Sequence, residues 1–201
     1  MMVALAVAAL VGGVACGLSG WEPAVLTLLT GHSDYILYVL MFLVGISVGL
    51  NKGLVRRIRA YNIRIFLIPL GIILGSMAGG AVCAPLLGMP LRESMVVAGG
   101  LGWYSLSGVM LTELGGATLG SIAFLSNLMR EIVSFFCIPW VSKKLNYFCC
   151  IAPAGATSED TTLPMMIRYT DEETVVLSVI NGVLCSAAVP FLLRIFWQLP
   201  W

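Results

Sequence analysis

The sequence predicts an all-α, polytopic membrane protein, and three observations carry that prediction. Of 201 residues, 59% are hydrophobic and only 10% are Asp, Glu, Lys or Arg, far below the roughly 25% charged residues of a soluble domain. Apolar runs at 2–18, 35–50, 65–84, 117–141 and 174–196 reach or approach the ~20 residues that cross a bilayer as a helix. Two further stretches, 99–116 and 152–164, are apolar but interrupted by Gly, Ser, Thr and Pro. Such sequences read as broken or re-entrant elements, because irregular backbone survives at membrane depth only where protein or a water-filled cavity satisfies it. The expected architecture is a single transmembrane transporter domain over 1–201, with about five spans and two broken elements. If both broken elements cross fully, the chain has seven crossings.

The first run has no Lys or Arg ahead of it, so it lacks the basic start of a signal peptide and reads as a retained first span. Val14-Ala15-Cys16 only faintly echoes a lipoprotein cleavage site. The loop after the second run carries Lys52, Arg56, Arg57, Arg59 and Arg64 and no acid, which places it in the cytoplasm by the positive-inside rule. The N-terminus is then inside, the loop with Glu22, His32 and Asp34 outside, and the C-terminus outside. Lys143 and Lys144 follow the fourth run and favour the inside as well. Both basic marks agree only if the first broken element dips from outside without crossing and the second dips from the cytoplasm. In the seven-crossing alternative the two lysines lie outside.

Small residues recur at helix-packing spacing. Gly71, Gly75 and Gly79 form a double GxxxG ridge on the third run, and Gly13/Gly17 and Gly45/Gly49 repeat the spacing. Such ridges let helices approach closely, either within one bundle or in a homo-oligomer.

Glu131 is the residue that points to function. It lies inside the fourth apolar run, where an ionisable group is costly and normally faces a bundle interior or an ion or substrate path. Asn127, Glu131 and Ser134 fall on one helical face at i, i+4 and i+7. Around it the sequence offers three further features. Trp103, Tyr104, Ser105 and Ser107, in the first break, supply aromatic faces for a cation and hydroxyls for hydrogen bonds. Glu113 follows Thr112 at the end of that break. Thr157, Ser158 and Asp160, in the second, add hydroxyls and an acid. Half-helix ends beside such breaks attract charged substrate groups, and paired interrupted elements point to a transporter site. Each feature also has a structural reading. The glycine breaks could be filled kinks, the aromatics interfacial anchors, and Glu159 and Asp160 part of a wet loop. Arg130 does not face Glu131, since adjacent helical residues diverge, and is expected to pair with Glu113 or a loop acid. Asn181 is a modest candidate for lining.

Other function classes find little support. HExxH and P-loop patterns are absent, so an enzyme is not expected. One His and six scattered Cys without CxxC spacing make no metal site or disulfide framework, and no cofactor is expected. A net charge of +1 without basic–aromatic interleaving excludes a nucleic-acid partner.

Gly102-Trp103-Tyr104-Ser105-Leu106-Ser107-Gly108, then Leu111-Thr112-Glu113, Gly120-Ser121, Ala123-Phe124 and Arg130-Glu131, resemble the lysine exporter (LysO) family. Gly155-Ala156-Thr157-Ser158, Asp160 and Thr162-Leu163-Pro164 match its second signature, and Phe42-Leu43-Val44-Gly45-Ile46 fits ahead of the basic loop. The resemblance runs over nearly the whole chain but over only the C-terminal portion of the family's usual architecture, in which further spans precede it. It implies an inner-membrane secondary exporter of L-lysine that protects the cell from excess lysine or toxic analogues. It also implies an acid in each half, of which Glu131 is the C-terminal one, the N-terminal acid having no counterpart here. Family members also occur as a short and a longer chain, so a short membrane subunit is the expected partner, beside lysine, protons or another coupling ion, and lipid. The alternatives are a carrier of another small amino acid or organic ion, and a non-transporting assembly subunit.

Overall fold

The computed structural model describes residues 2–19, the isolated helical positions 35, 39, 42 and 46, and residues 66–200. The basic loop and the loop with His32 lie outside the described residues, as does most of the second apolar run. The chain divides into two compact units, Met1–Ile46 and Ser47–Trp201. The first contains helix α1, Met2–Ser19, an 18-residue apolar helix matching the first predicted run.

The regular elements among the second unit's described residues are all helical. Helix α2, Leu67–Leu87, ends where Gly88 turns left-handed at φ 65°, and Met89 N–H donates back to the Ala84 carbonyl at 3.0 Å. Such a closure satisfies carbonyls that a helix end would otherwise leave orphaned. Pro90 then launches α3, Leu91–Ala98, with Glu93 in its first turn, where the helix dipole favours an acid. Gly99–Trp103 break the helical path before α4, Tyr104–Gly115. The longest helix, α5, runs Ala117–Lys144 and closes on Lys143 and Lys144, cations that suit a helix C-terminus.

A second irregular passage follows. It is built of a 3₁₀ turn at Tyr147–Cys150, a single α-turn, α6, at Ile151–Ala154, and another 3₁₀ turn at Gly155–Glu159. Helix α7, Leu163–Tyr169, and then α8, Glu172–Gln198, complete the unit. Asp171 caps α8 by accepting from Thr174 N–H at 2.9 Å. Asp171→Ala is expected to lower stability by about 1 kcal/mol, the usual cost of losing an N-cap. Thermal unfolding in detergent reads that loss directly.

Among the described residues three helices are long and apolar enough to cross a membrane: α2, α5 and α8. Each coincides with a predicted span, extended by a few residues at one or both ends. The all-α membrane fold expected from the sequence is therefore the fold observed. Helix α5 shows how the bilayer reverses the usual pattern: Leu125, Met129, Val133, Phe136 and Trp140 are exposed, while Asn127, Glu131 and Ser134 are buried. Lipid tails solvate the apolar face, so polar groups turn inward.

Close approaches then organise the unit. Helix α4 folds back on α5 with Tyr104 edge-on to Phe124, ring centroids 5.3 Å apart. Helices α2 and α3 meet where Ser94 Oγ donates to the Gly80 carbonyl at 2.6 Å. The GxxxG ridge of α2 does not make that contact: nothing described lies within 4 Å of where a Cβ would stand at Gly71, Gly75 or Gly79.

Candidate functional site: two breaks held against helix α5

The two irregular passages meet. Ala156 N–H, in the second, donates to the Leu101 carbonyl, in the first, at 2.9 Å. Their backbones touch because Gly155 has no side chain: a Cβ there would run into the Leu101 carbonyl oxygen and the Arg130 guanidinium. Each break is held by an asparagine on the long helix that follows it. Asn127, on α5, accepts from Gly102 N–H at 2.8 Å and donates to the Val97 carbonyl at 3.0 Å. Its third bond goes to the Ala123 carbonyl of its own helix. Asn181, on α8, donates to the Gly155 carbonyl and to Ser158 Oγ, both at 3.0 Å. Broken helices leave N–H and C=O groups without intrahelical partners, and a carboxamide that both donates and accepts is suited to satisfy them.

The second break is also stitched to α8 by a reciprocal pair. Ser158 Oγ donates to the Ser178 carbonyl at 2.8 Å, and Ser178 Oγ donates to the Ser158 carbonyl at 2.7 Å. Glu159 lies on Gly182 of α8 and accepts from Ser186 Oγ at 3.0 Å, so it is packed against a helix rather than left on a wet loop. Ser178→Ala removes one bond of the pair and leaves the Ser158 carbonyl short of a donor. A loss of about 1 kcal/mol is expected, read by thermal unfolding.

Arg130 joins the two sides. Its Nε donates to the Pro153 carbonyl and its Nη2 to the Ala152 carbonyl, each at 3.1 Å, while Nη1 donates to Ser76 Oγ on α2 at 2.9 Å. The expected acidic partner is not what it finds. Its acceptors are carbonyls at the end of the single turn α6 and a hydroxyl, and among the described residues no carboxylate pairs with it.

Glu131 is different again. It is fully buried at 0% exposure, and neither carboxylate oxygen has a hydrogen-bond partner among the described residues. Thr161 and Asp160, from the second break, are its electrostatic neighbours. Tyr104, from the first, lies within electrostatic reach of both Glu131 and Asp160. The Thr161 hydroxyl, itself buried, stands beside the Glu131 carboxylate but outside strict hydrogen-bond geometry, and no other described residue bonds it. Ser134 Oγ donates to the Glu131 backbone carbonyl at 2.6 Å rather than to its side chain. The arrangement thus collects Tyr104, Glu131, Asp160 and Thr161 where the two breaks meet. An unpaired buried carboxylate there can neutralise a cation or hold a proton.

The remaining sequence-derived residues divide by position. Ser107 is buried and bonds the Trp103 carbonyl at 2.8 Å. Trp103 Nε1 donates to Ser105 Oγ at 3.1 Å. Thr157 Oγ1 donates to the Ala154 carbonyl at 2.9 Å. The Ser107 and Thr157 hydroxyls thus serve the break backbone, and the Ser105 hydroxyl holds the Trp103 ring. Glu113 is exposed in the last turn of α4, about 13 Å of helix rise from Tyr104, and is not brought to the cluster. Asn181, Ser178, Ser186 and Thr161 are the polar groups that sequence reasoning undervalued; on α8, Ser178, Asn181 and Cys185 recur at helical spacing, and that was the available signal.

Comparison with known proteins places the chain in a family. The family model for "Lysine exporter LysO" matches residues 7–197. The chain is 36% identical over 184 residues to the lysine exporter LysO of Escherichia coli (strain K12), covering 92% of this chain and 60% of that protein. It is 34% identical over 170 residues to a Haemophilus influenzae protein that bears a provisional name as a lysine exporter, covering 85% of this chain and 86% of the relative. No solved structure matches. The chain spans less than two thirds of the length of the Escherichia coli relative. With its apolar helices, long polar-cored span and matched signatures, this multi-pass membrane chain belongs to the lysine exporter LysO family.

Proposed function

We propose that this chain forms a transport domain that moves L-lysine, or a close analogue, out of the cytoplasm across the inner membrane as a secondary exporter. The observation that carries the reading is Glu131, fully buried in a membrane-length helix and without a hydrogen-bond partner among the described residues. A lysine side chain brings an ammonium that needs an anion in a low-dielectric site, and a carboxylate supplies it. The relatives' names support lysine as the substrate. Among the described residues there is no cluster of metal-ligating side chains to support a metal-dependent alternative.

Proton coupling is part of the proposal. A carboxylate that meets the ammonium in one state takes up a proton when lysine leaves, so outward lysine is exchanged for inward protons. Holding the membrane potential while collapsing the proton gradient is expected to stop efflux; efflux that continues excludes this coupling.

The transport reading is tested in cells lacking their own lysine exporter and loaded with a lysine-containing dipeptide. This chain is expressed alone and together with a short membrane companion, the partner we propose. Lysine efflux in either strain supports the reading. No efflux in both, with the proteins present in the membrane, contradicts it.

A further inference from the structure

A cleft of about 320 Å³ opens between α2, α3 and α5, on the side of Arg130. Its lining includes Ser76, Gly79, Ser94, Ser126, Asn127 and Arg130, and Arg130 is the one charged residue among those that line it. We infer that this cleft is a carboxylate subsite, in which Arg130 receives the α-carboxylate of an amino-acid substrate. The inference deepens the proposed export function and rests on it.

Three observations carry it. First, a guanidinium has five N–H donors and a charge it does not lose. Arg130 spends three donors, all on neutral acceptors: two carbonyls and Ser76 Oγ. Among the described residues, one N–H on each terminal nitrogen has no acceptor and the charge has no carboxylate. A cation at membrane depth with neutral partners alone is incompletely compensated. Second, the three bonds fix the side chain. A guanidinium already oriented loses little entropy on taking a ligand, and its planar fork matches a carboxylate. Third, the cleft has room. Gly79 lines it, and a Cβ there meets nothing within 4 Å among the described residues. The hydroxyls of Ser76 and Ser126 add donors on the α2 and α5 walls.

The division of labour follows from helix geometry. Arg130 and Glu131 are consecutive on α5, so their side chains diverge. The cation lines the cleft while the carboxylate lies with Tyr104, Asp160 and Thr161. A zwitterion with an extra ammonium has matching ends of opposite sign. Cadaverine, which has both ammonium groups and no carboxylate, lacks the end that Arg130 would hold.

The test is equilibrium binding to the purified chain, with its companion if the complex is required. The ligands are a panel of L-amino acids including lysine, their amides, and cadaverine. Wild type is expected to bind lysine at least tenfold more tightly than lysinamide or cadaverine. Arg130→Gln is expected to erase that difference by weakening lysine alone. Arg130 also holds carbonyls of the second break, so two further variants separate binding from folding. Arg130→Lys keeps the charge and is expected to retain part of the preference. Gly79→Leu leaves every Arg130 bond in place and fills the cleft, and is expected to weaken amino-acid binding tenfold or more with thermal stability unchanged. A carboxylate preference that survives in folded Arg130→Gln and Gly79→Leu overturns the subsite. So does a wild type that binds no amino acid better than its amide. Carboxylate-dependent binding of other amino acids but not lysine upholds the subsite and rejects lysine as the substrate.

Discussion

Gly155→Ala is expected to destabilise the protein by about 2–5 kcal/mol, a large share of the ~5–15 kcal/mol that holds a typical domain together. Two costs combine. Gly155 sits at φ +60°, ψ −123°, backbone that glycine alone adopts at low cost. The added Cβ would also collide with the Leu101 carbonyl and lie 3.0 Å from Arg130 Nη2. Relief would require parting the two breaks at their contact. Gly88 supplies the internal control. Its φ is +65°, but nothing among the described residues lies within 4 Å of a Cβ there. Gly88→Ala should therefore carry only the backbone cost, about 1 kcal/mol. Thermal unfolding in detergent compares the two: Gly88, at ψ 25°, lies in the left-handed helical region, whereas Gly155, at ψ −123°, lies outside it, so Gly155→Ala is expected to lose more through both backbone and contact. Equal losses would mean that the close approach of the breaks contributes nothing.

The second large effect is on transport. Glu131→Gln keeps the shape of the side chain and removes its charge. Losing one partner of a buried charge pair costs about 2–5 kcal/mol, so lysine efflux is expected to fall by two orders of magnitude or more. Glu131→Asp keeps the charge one methylene further from its ligand and should be intermediate. Stability is expected to move the other way. A buried carboxylate without a hydrogen bond is a burden on the unliganded fold, so Glu131→Gln should unfold at the same temperature as wild type or higher. Unchanged efflux would assign Glu131 a packing role. Lost efflux accompanied by lost stability would do the same.

Much of the fold was legible because the bilayer imposes length. An apolar run of about 20 residues has few alternatives, and the runs at 65–84, 117–141 and 174–196 became α2, α5 and α8 with small extensions. The extensions of α5 and α8 are polar end turns, Ser142-Lys143-Lys144 and Glu172-Glu173, which an apolar count cuts away, while α2 runs on through Pro85 to Leu87. The breaks were legible from their glycines. Their meeting was not, because the Leu101–Ala156 bond joins two backbones and no side chain marks it. The polar face of α5 could be read from spacing, and Asn127, Glu131 and Ser134 are indeed buried together.

Arg130 illustrates the limit. A charged residue suggests a charged partner, yet the nearest unsatisfied groups were carbonyls exposed by a broken helix, and every residue carries one. Ser107, Thr157 and Ser158 turned to backbone carbonyls for the same reason. Their residue types suggested ligand contact, but the local backbone had the prior claim. Asn127 and Asn181 occupy equivalent places after each break, bonded to Gly102 and Gly155 at sequence separations of 25 and 26. That parallel emerges only once the bonds are known.

The most direct test of the account compares lysine with norleucine, which has the same carboxylate and nearly the same chain but no side-chain ammonium. Equilibrium binding to the purified protein is measured for wild type and Glu131→Gln. If Glu131 holds the ammonium, wild type prefers lysine strongly and the variant loses that preference while still binding norleucine. If the variant prefers lysine as wild type does, the carboxylate does not meet the substrate and the central claim is wrong.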